Sequence, residues 1–191
     1  MMNLKPAAVH PEIANSLDGR RIGSLIWKAY TLTSGRGRAA EEKRHGADIM
    51  GVLKISLNYF RIGKSFLAQD KLAEPFQPFP NTEWNRFQKQ CKTMLDRTCD
   101  AFAVIHSRER GILFIPSQTI LEINRDQLFD VCSCSLFDFF KSHVKCEIGD
   151  RNLISPSVNV LDRLSRVKGL ALNDFGAETI LSMEVTDVAS S

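Results

Sequence analysis

Apolar residues recur at helical spacing along four segments of the chain. The clearest lies within residues 82–97, where Trp84, Phe87, Cys91 and Met94 fall on one face at spacings of three and four. The same pattern predicts three further helices, although two glycines weaken the first of them. These further predicted helices span residues 11–30, 128–144 and 157–168.

Short apolar runs between these segments indicate β-strands. The predicted strands cover residues 47–57, 65–72, 100–107, 111–117 and 178–185, with a turn expected at 58–64. Residues 108–111 form a polar turn ending in glycine, which predicts a hairpin on its two sides. Three prolines make residues 74–80 an irregular connector. The resulting order, α–β–β–α–β–β–α–α–β, predicts one mixed α/β domain over residues 1–191.

Composition and charge agree with a single globular domain. The chain has 191 residues, of which 43% are hydrophobic and 25% charged, which argues against a disordered or fibrous protein. The formal net charge is +3, a mild excess that permits a nucleic-acid partner without requiring one. No apolar run approaches the roughly 18 residues of a membrane span, and no secretory pattern opens the chain. We therefore expect a cytoplasmic protein that does not enter membranes.

The five cysteines are odd in number and lie in apolar stretches, which predicts buried free thiols in a reducing compartment. A zinc site built from Cys132, Cys134, Cys146 and His143 is the alternative. It is disfavoured because Cys-x-Cys is not the spacing of common structural zinc sites.

Candidate chemistry concentrates in two short segments. Asp48 follows Gly46 and Ala47 at the head of one predicted strand, and Gln69 and Lys71 alternate along the next. Because side chains in a strand alternate between faces, Gln69 and Lys71 share one face. If the two strands pair as a hairpin, a carboxylate, an amide oxygen and an ammonium group converge at one strand end.

This set of groups suits metal-assisted hydrolysis of phosphodiesters. Mg²⁺ takes oxygen ligands and keeps several waters, so Asp48 and Gln69 are candidate metal ligands, with Mn²⁺ as a possible substitute. Lys71 would orient the attacking water and stabilise the transition state. Glu42, or alternatively Glu41, would complete the metal shell from the preceding segment. The predicted catalytic set is therefore Asp48, Gln69, Lys71 and Glu42.

An acid before a strand, a turn, and then Gln-x-Lys on the following strand resembles the PD-(D/E)XK nuclease superfamily. The helix containing Met94 and the hairpin after it fall where that family places a helix and its next two strands. The resemblance covers residues 41–117 and implies a restriction-endonuclease-like fold, a mixed central sheet of four to five strands flanked by helices. Residues 118–191 would complete the core. It also implies a Mg²⁺-dependent nuclease in bacterial antiviral defence or DNA processing. DNA is favoured over RNA as its substrate, and RNA stays open as the alternative.

Two positions depart from the family pattern. Gln69 stands where an acid is commoner, which lowers the negative charge of the site, and Asp70 occupies a position that is usually apolar. A register slip of one residue would exchange the faces of Gln69 and Asp70. These departures sustain an alternative function, a catalytically silent nuclease-fold module for nucleic-acid binding or complex assembly. A small interaction protein of unrelated α/β fold is a further alternative.

Basic side chains near the motifs offer contacts to a phosphate backbone. The candidates are Arg36, Arg38, Lys43 and Arg44, and an ordinary solvated surface is the competing interpretation. Cutting both strands of a duplex with one site per chain would favour a homodimer or a partner protein.

Overall fold

A single mixed β-sheet organises the protein. The computed structural model describes residues 24–31, 47–57, 60–77, 79–153 and 179–186. The strands are β1 (Ser24–Thr31), β2 (Ile49–Leu57), β3 (Phe60–Leu72), β4 (Ala101–Ser107), β5 (Gly111–Pro116), β6 (Cys134–Ser135) and β7 (Thr179–Thr186). Their order across the sheet is β1-β7-β2-β3-β4-β5-β6.

The centre of the sheet follows from local chain connections. β2 and β3 pair antiparallel, with Leu57 opposite Phe60, and β4 and β5 form the expected antiparallel hairpin. β3 and β4 run parallel, so the chain must cross over between them, and it does so through helix α1 (Asn81–Leu95). β7 returns from the C-terminal part to pair parallel with β2 and antiparallel with β1.

Helix α1 covers one face of the sheet. The apolar positions predicted from the sequence are buried, since Phe87, Cys91 and Met94 have no exposed surface. They pack with sheet residues that include Leu67 and Ile105. Each fully buried side chain of this size stabilises the fold by about 1.5–3 kcal/mol, so α1 fixes the β3–β4 crossover. Helix α2 (Ser117–Glu122) packs against α1.

The other face is covered by helix α3 (Leu136–Val144). Its Phe139 stacks on Phe114 with the ring centroids 3.8 Å apart and meets Phe66 edge-on at 5.0 Å. The sheet is therefore enclosed between helices at its centre, which is the layered α/β arrangement expected from the order of elements.

Several predicted elements are confirmed. The α/β class, the helix at residues 82–97, the strand at 47–57, the hairpin and the C-terminal strand all appear in the structure. The predicted sheet of four to five strands is wrong, because seven strands pair in it within the described residues alone. The added ones include β1 and the two-residue β6, which lie at its two edges. The predicted helix at 157–168 lies outside the described residues.

Three predicted boundaries are also wrong. The predicted helix over 11–30 does not hold at its C-terminal end, where residues 24–31 form a strand because they pair with the distant β7. Within the expected turn at 58–64, residues 60–64 form strand, since the antiparallel pairing begins at Phe60. The helix expected over 128–144 starts only at Leu136. Cys134 and Ser135 before it pair with β5, and the Ser135 hydroxyl then caps the helix by accepting from the Asp138 N–H at 3.1 Å.

Within the described ranges, no helix combines the length and apolar character needed to cross a membrane.

Gly51 in β2 lets the Phe66 ring approach the backbone more closely than a residue with a Cβ atom would. A Cβ atom at this position would lie 1.9 Å from Phe66 Cε1, and Phe66 is itself held among other aromatic rings. We expect Gly51→Ala to lower the free energy of unfolding by about 1–3 kcal/mol, the usual cost of overpacking a core, as measured by denaturant titration. Gly63, on the paired strand, has open space around it. Gly63→Ala is the matched control and is expected to be neutral or to stabilise by up to about 1 kcal/mol; equal losses in both variants would contradict the packing argument.

His143 is expected to make stability depend on pH. It is 1% exposed, and its Nδ1 lies 3.1 Å from the carbonyl oxygen of Ile148. Burial is the main cause that lowers its pKa from 6.5 to about 4 in the folded protein. As the pH falls, the unfolded chain therefore becomes protonated at His143 before the folded protein does. The contribution of neutral His143 to the free energy of unfolding is therefore fully present above pH 6.5. It is lost as the pH drops toward 4, by up to about 3 kcal/mol. The unfolding free energy of His143→Phe should fall less over the same interval, and parallel curves would contradict this assignment.

Candidate active site

The structure brings Asp48 and Gln69 into direct contact. Asp48 immediately precedes β2, and its backbone N–H donates to the Ala68 carbonyl at 2.9 Å, which places it beside β3. The Gln69 Nε2 atom donates to Asp48 Oδ2. The backbone N–H of Asp70 donates to the same oxygen at 3.1 Å. The antiparallel pairing of β2 and β3 thus produces the convergence that the sequence predicted for these two side chains.

Lys71 lies on the same face of β3 as Gln69. Its Nζ atom is 5.8 Å from the centroid of the Phe87 ring on α1, within cation–π range. Two residues along a strand span roughly 7 Å, so Lys71 is the next side chain on this face after Gln69. The Phe87 ring therefore holds the ammonium group on the α1 side of the sheet, which is also the side of the Gln69 side chain.

Asp70 points to the opposite face, which settles the register. Its Oδ1 atom lies 2.7 Å from His106 Nε2 on β4, and both side chains are 43% exposed. A slip of one residue would have buried Asp70 beneath α1 and exposed Gln69. Instead Gln69 is fully buried. The pairing of His106 with Asp70 could be found only once the β3–β4 register was known.

The oxygen of the Gln69 side chain has no hydrogen-bond partner among the described residues. An unpartnered buried carbonyl oxygen costs about 1–3 kcal/mol, and a cation is one group that would satisfy it. Asp48 supplies a carboxylate next to it, so the pair fits a hard cation such as Mg²⁺ that takes oxygen ligands and keeps waters. No group of three or more His, Cys, Asp or Glu side chains suited to a metal occurs within the described ranges.

Other predicted site residues lie outside the described residues. These are Glu41, Glu42, Arg36, Arg38, Lys43 and Arg44. The structure therefore tests neither the third carboxylate of the proposed metal shell nor the basic segment proposed to contact DNA.

Sequence reasoning missed the buried polar groups on α1 and α2. Burial raises the pKa of the Cys91 thiol on α1, and the charge of Lys71 partly offsets that rise. Ser117 at the start of α2 is fully buried, and its hydroxyl has no hydrogen-bond partner within the described ranges. Gln90, next to Cys91, is also buried, and its side-chain oxygen has no hydrogen-bond partner in the described part of the chain. The signal available in the sequence was polar Gln90 and Ser117 within otherwise apolar helix faces.

The expected burial of the cysteines is confirmed only for Cys91. Cys99, Cys132 and Cys134 are exposed, and Cys146 is partly buried. Cys132 and Cys134 are exposed because their segment lies at the edge of the sheet, where β6 pairs with β5 alone. All five cysteines are free thiols, as predicted.

Comparison of the chain with protein-family models, curated proteins and solved structures finds no match.

Cys91 is expected to be unreactive in the folded protein. Burial raises the pKa of its thiol to about 12, and only thiolates react appreciably with disulfide reagents. Titration with such a reagent at pH 8 should label Cys99, Cys132 and Cys134 quickly and Cys91 only after denaturation. Cys91→Ala should leave the fast phase unchanged. Loss of part of that phase would show that Cys91 is accessible.

Proposed function

We propose that the protein is a Mg²⁺-dependent nuclease of the PD-(D/E)XK type with a restriction-endonuclease-like core. One observation carries the proposal. The Gln69 amide contacts the Asp48 carboxylate across paired strands, and Lys71 follows on the same strand face. These are the three groups that the resemblance assigns to metal binding and catalysis.

The arrangement of neighbouring elements supports the same proposal. The acid precedes β2, the Gln-x-Lys motif lies on β3, and α1, β4 and β5 follow in that order. The resemblance expects this succession of hairpin, helix and two further strands. β7 inserts beside β2, which the resemblance did not predict, but it contacts the strand on the side away from β3 and leaves the Asp48–Gln69 contact intact.

Asp48 and the side-chain oxygen of Gln69 would hold the metal ion, with Glu42 as the proposed third ligand. The ion would supply an activated water and neutralise charge on the scissile phosphate. For the Gln69 oxygen to face the ion, the amide must turn from donating to Asp48 to presenting its oxygen beside that carboxylate. Two oxygens with one negative charge between them would leave most of the coordination shell to water and phosphate, as is usual for Mg²⁺.

Lys71 would act on the phosphate and the attacking water. Its ammonium group is positioned by the Phe87 ring, so less rotational freedom is lost when it contacts a phosphate oxygen. A positive charge held in place before the reaction stabilises the negative charge that develops in the transition state. Asp70 contributes through its backbone N–H, which holds the Asp48 carboxylate in position.

DNA is the proposed substrate, with Arg36, Arg38, Lys43 and Arg44 as proposed backbone contacts. A homodimer or partner protein would supply the second active site needed to cut both strands of a duplex. The proposed setting is cytoplasmic, in antiviral defence or DNA processing.

A catalytically silent module is the second candidate, and the same contact favours it. Because Gln69 donates to Asp48, the carboxylate is hydrogen-bonded without a metal ion. An amide in place of an acid also lowers the electrostatic attraction for Mg²⁺. The chain would then use its nuclease fold to bind nucleic acid or to assemble a complex.

The two candidates differ in metal-dependent cleavage. We expect wild type to cut plasmid, linear duplex or single-stranded DNA with Mg²⁺ or Mn²⁺ and not with EDTA. Lys71→Ala and Asp48→Asn should each lower the rate by a factor of about 100 or more, as loss of one charge-stabilising group typically does. Lys89→Ala is the matched control, because Lys89 lies exposed on α1. Equal cutting by Lys71→Ala and wild type would remove Lys71 from the mechanism.

Gln69→Glu separates the candidates further. Added negative charge should raise Mn²⁺ affinity, measured by calorimetry, in either case. If the protein is a nuclease, Gln69→Glu keeps or gains cleavage activity. Wild type then also binds Mn²⁺, and Asp48→Asn abolishes that binding. Nucleic-acid binding without cleavage and without Mn²⁺ binding by wild type would favour the silent module.

A further inference from the structure

A pocket of about 290 Å³ opens beside the C-terminal end of β3. Its volume is near the lower end of the roughly 300–1,000 Å³ typical of small-molecule sites. The lining combines aromatic rings with charged groups of both signs. It includes Phe76, Phe79, Phe129, Arg110, Asp130 and Glu74.

Phe76 occupies a conformation and an environment that do not favour phenylalanine. It is the third residue of the turn Glu74–Gln77, in which the Gln77 N–H donates to the Glu74 carbonyl at 3.2 Å, and its φ angle is 68°. Turns with Pro second and a positive φ third normally carry Gly or Asn there. The ring is 95% exposed, so burial does not compensate the strain. Neither turn geometry nor core packing accounts for an aromatic side chain at this position.

The turn that carries Phe76 is anchored to the β4–β5 hairpin. The Glu74 carboxylate accepts from the Ser107 hydroxyl and from the Arg108 N–H, both at 2.8 Å. These bonds, chiefly the one from the Arg108 backbone, lower the pKa of Glu74 below its ordinary value. Glu74 therefore stays ionised and fixes the turn, and Phe76 is presented on a rigid support.

The opposite wall is continuous with the proposed active site. The Phe79 ring stacks on Phe87 with the centroids 6.0 Å apart, and Phe87 is the ring under Lys71. Arg125 fixes this wall by donating to the Phe79 carbonyl at 3.1 Å and to Asn81 at 2.7 Å. Glu74 is three residues beyond Lys71 on the chain, a separation of roughly 10 Å in an extended segment.

We propose that this pocket takes an unpaired nucleobase of a single-stranded or frayed nucleic acid. An exposed ring on an anchored turn offers a face on which a base stacks, and stacking is tolerant of base identity. The edge of a base carries both donors and acceptors, which match the carboxylates and Arg110 around the pocket. A base within an intact duplex remains stacked and does not enter. The inference rests on the proposed function, because it states that the proposed active site receives single-stranded or frayed nucleic acid.

Phe76→Asn tests the proposal, because Asn adopts positive φ readily and removes the ring. Binding is measured in EDTA by fluorescence anisotropy, with a labelled single-stranded DNA and the corresponding blunt duplex. The expected result is a loss of single-strand affinity of roughly 5- to 150-fold, the effect of removing one stacking side chain. Duplex affinity stays unchanged, and the melting temperature equals or exceeds that of wild type.

Phe137→Ala is the matched control, since Phe137 is 70% exposed on α3 and does not line the pocket. It should bind both DNA forms as wild type does. The proposal is overturned if Phe76→Asn binds single strands as tightly as wild type, if Phe137→Ala loses as much affinity, or if wild type binds no single strand. Because the assay contains no metal and needs no cleavage, a positive result stands even if the nuclease assay fails, and failure here leaves cleavage to be judged by the Lys71 variants.

Discussion

Packing of α1 against β3 and β4 is the interaction on which the rest of the structure depends. Two neighbouring parallel strands require a crossover, and this one is held by side chains that are completely removed from water, Phe87 and Met94 among them. The crossover sets β4 beside β3 in register, so that Asp70 meets His106 on one face. It also brings the Phe87 ring under Lys71 on the other face. The layer that stabilises the fold is thus the layer that positions the candidate catalytic lysine.

The alternation of side chains along β3 converts this packing into a candidate site. Gln69 is buried toward α1 and reaches Asp48, whereas the next residue, Asp70, faces away and contributes only its backbone N–H to the same carboxylate. One short stretch therefore supplies an amide, a backbone donor and an ammonium group with fixed relative directions. The side-chain oxygen of Gln69 has no hydrogen-bond partner among the residues that the structure describes, and a buried polar group in this state calls for an explanation such as a bound ion or a catalytic role.

Strain at Phe76 lies just beyond the same strand. The end of β3 carries first the candidate catalytic groups, then the Glu74 carboxylate that ties the strand to the β4–β5 hairpin, and then an exposed ring in a conformation suited to glycine. Strained residues persist where the surrounding structure holds them, and here the holding contacts are the Glu74 bonds. The stacked rings of Phe87 and Phe79 connect the candidate reaction centre to one wall of the pocket beside Phe76.

The parts of the fold that depend on neighbouring residues are predictable from the sequence. Periodicity located α1, the strand β2 and the β4–β5 hairpin, and alternation placed Gln69 and Lys71 on one face, because these patterns record which side chains a local element buries. Tertiary structure alone decided that residues 24–31 form a strand, since their partner β7 is distant in sequence. It also decided that Phe60 extends β3 and that Cys132 and Cys134 are exposed at a sheet edge. Long-range strand pairing depends on how the whole sheet assembles, and no local pattern of hydrophobicity specifies that order.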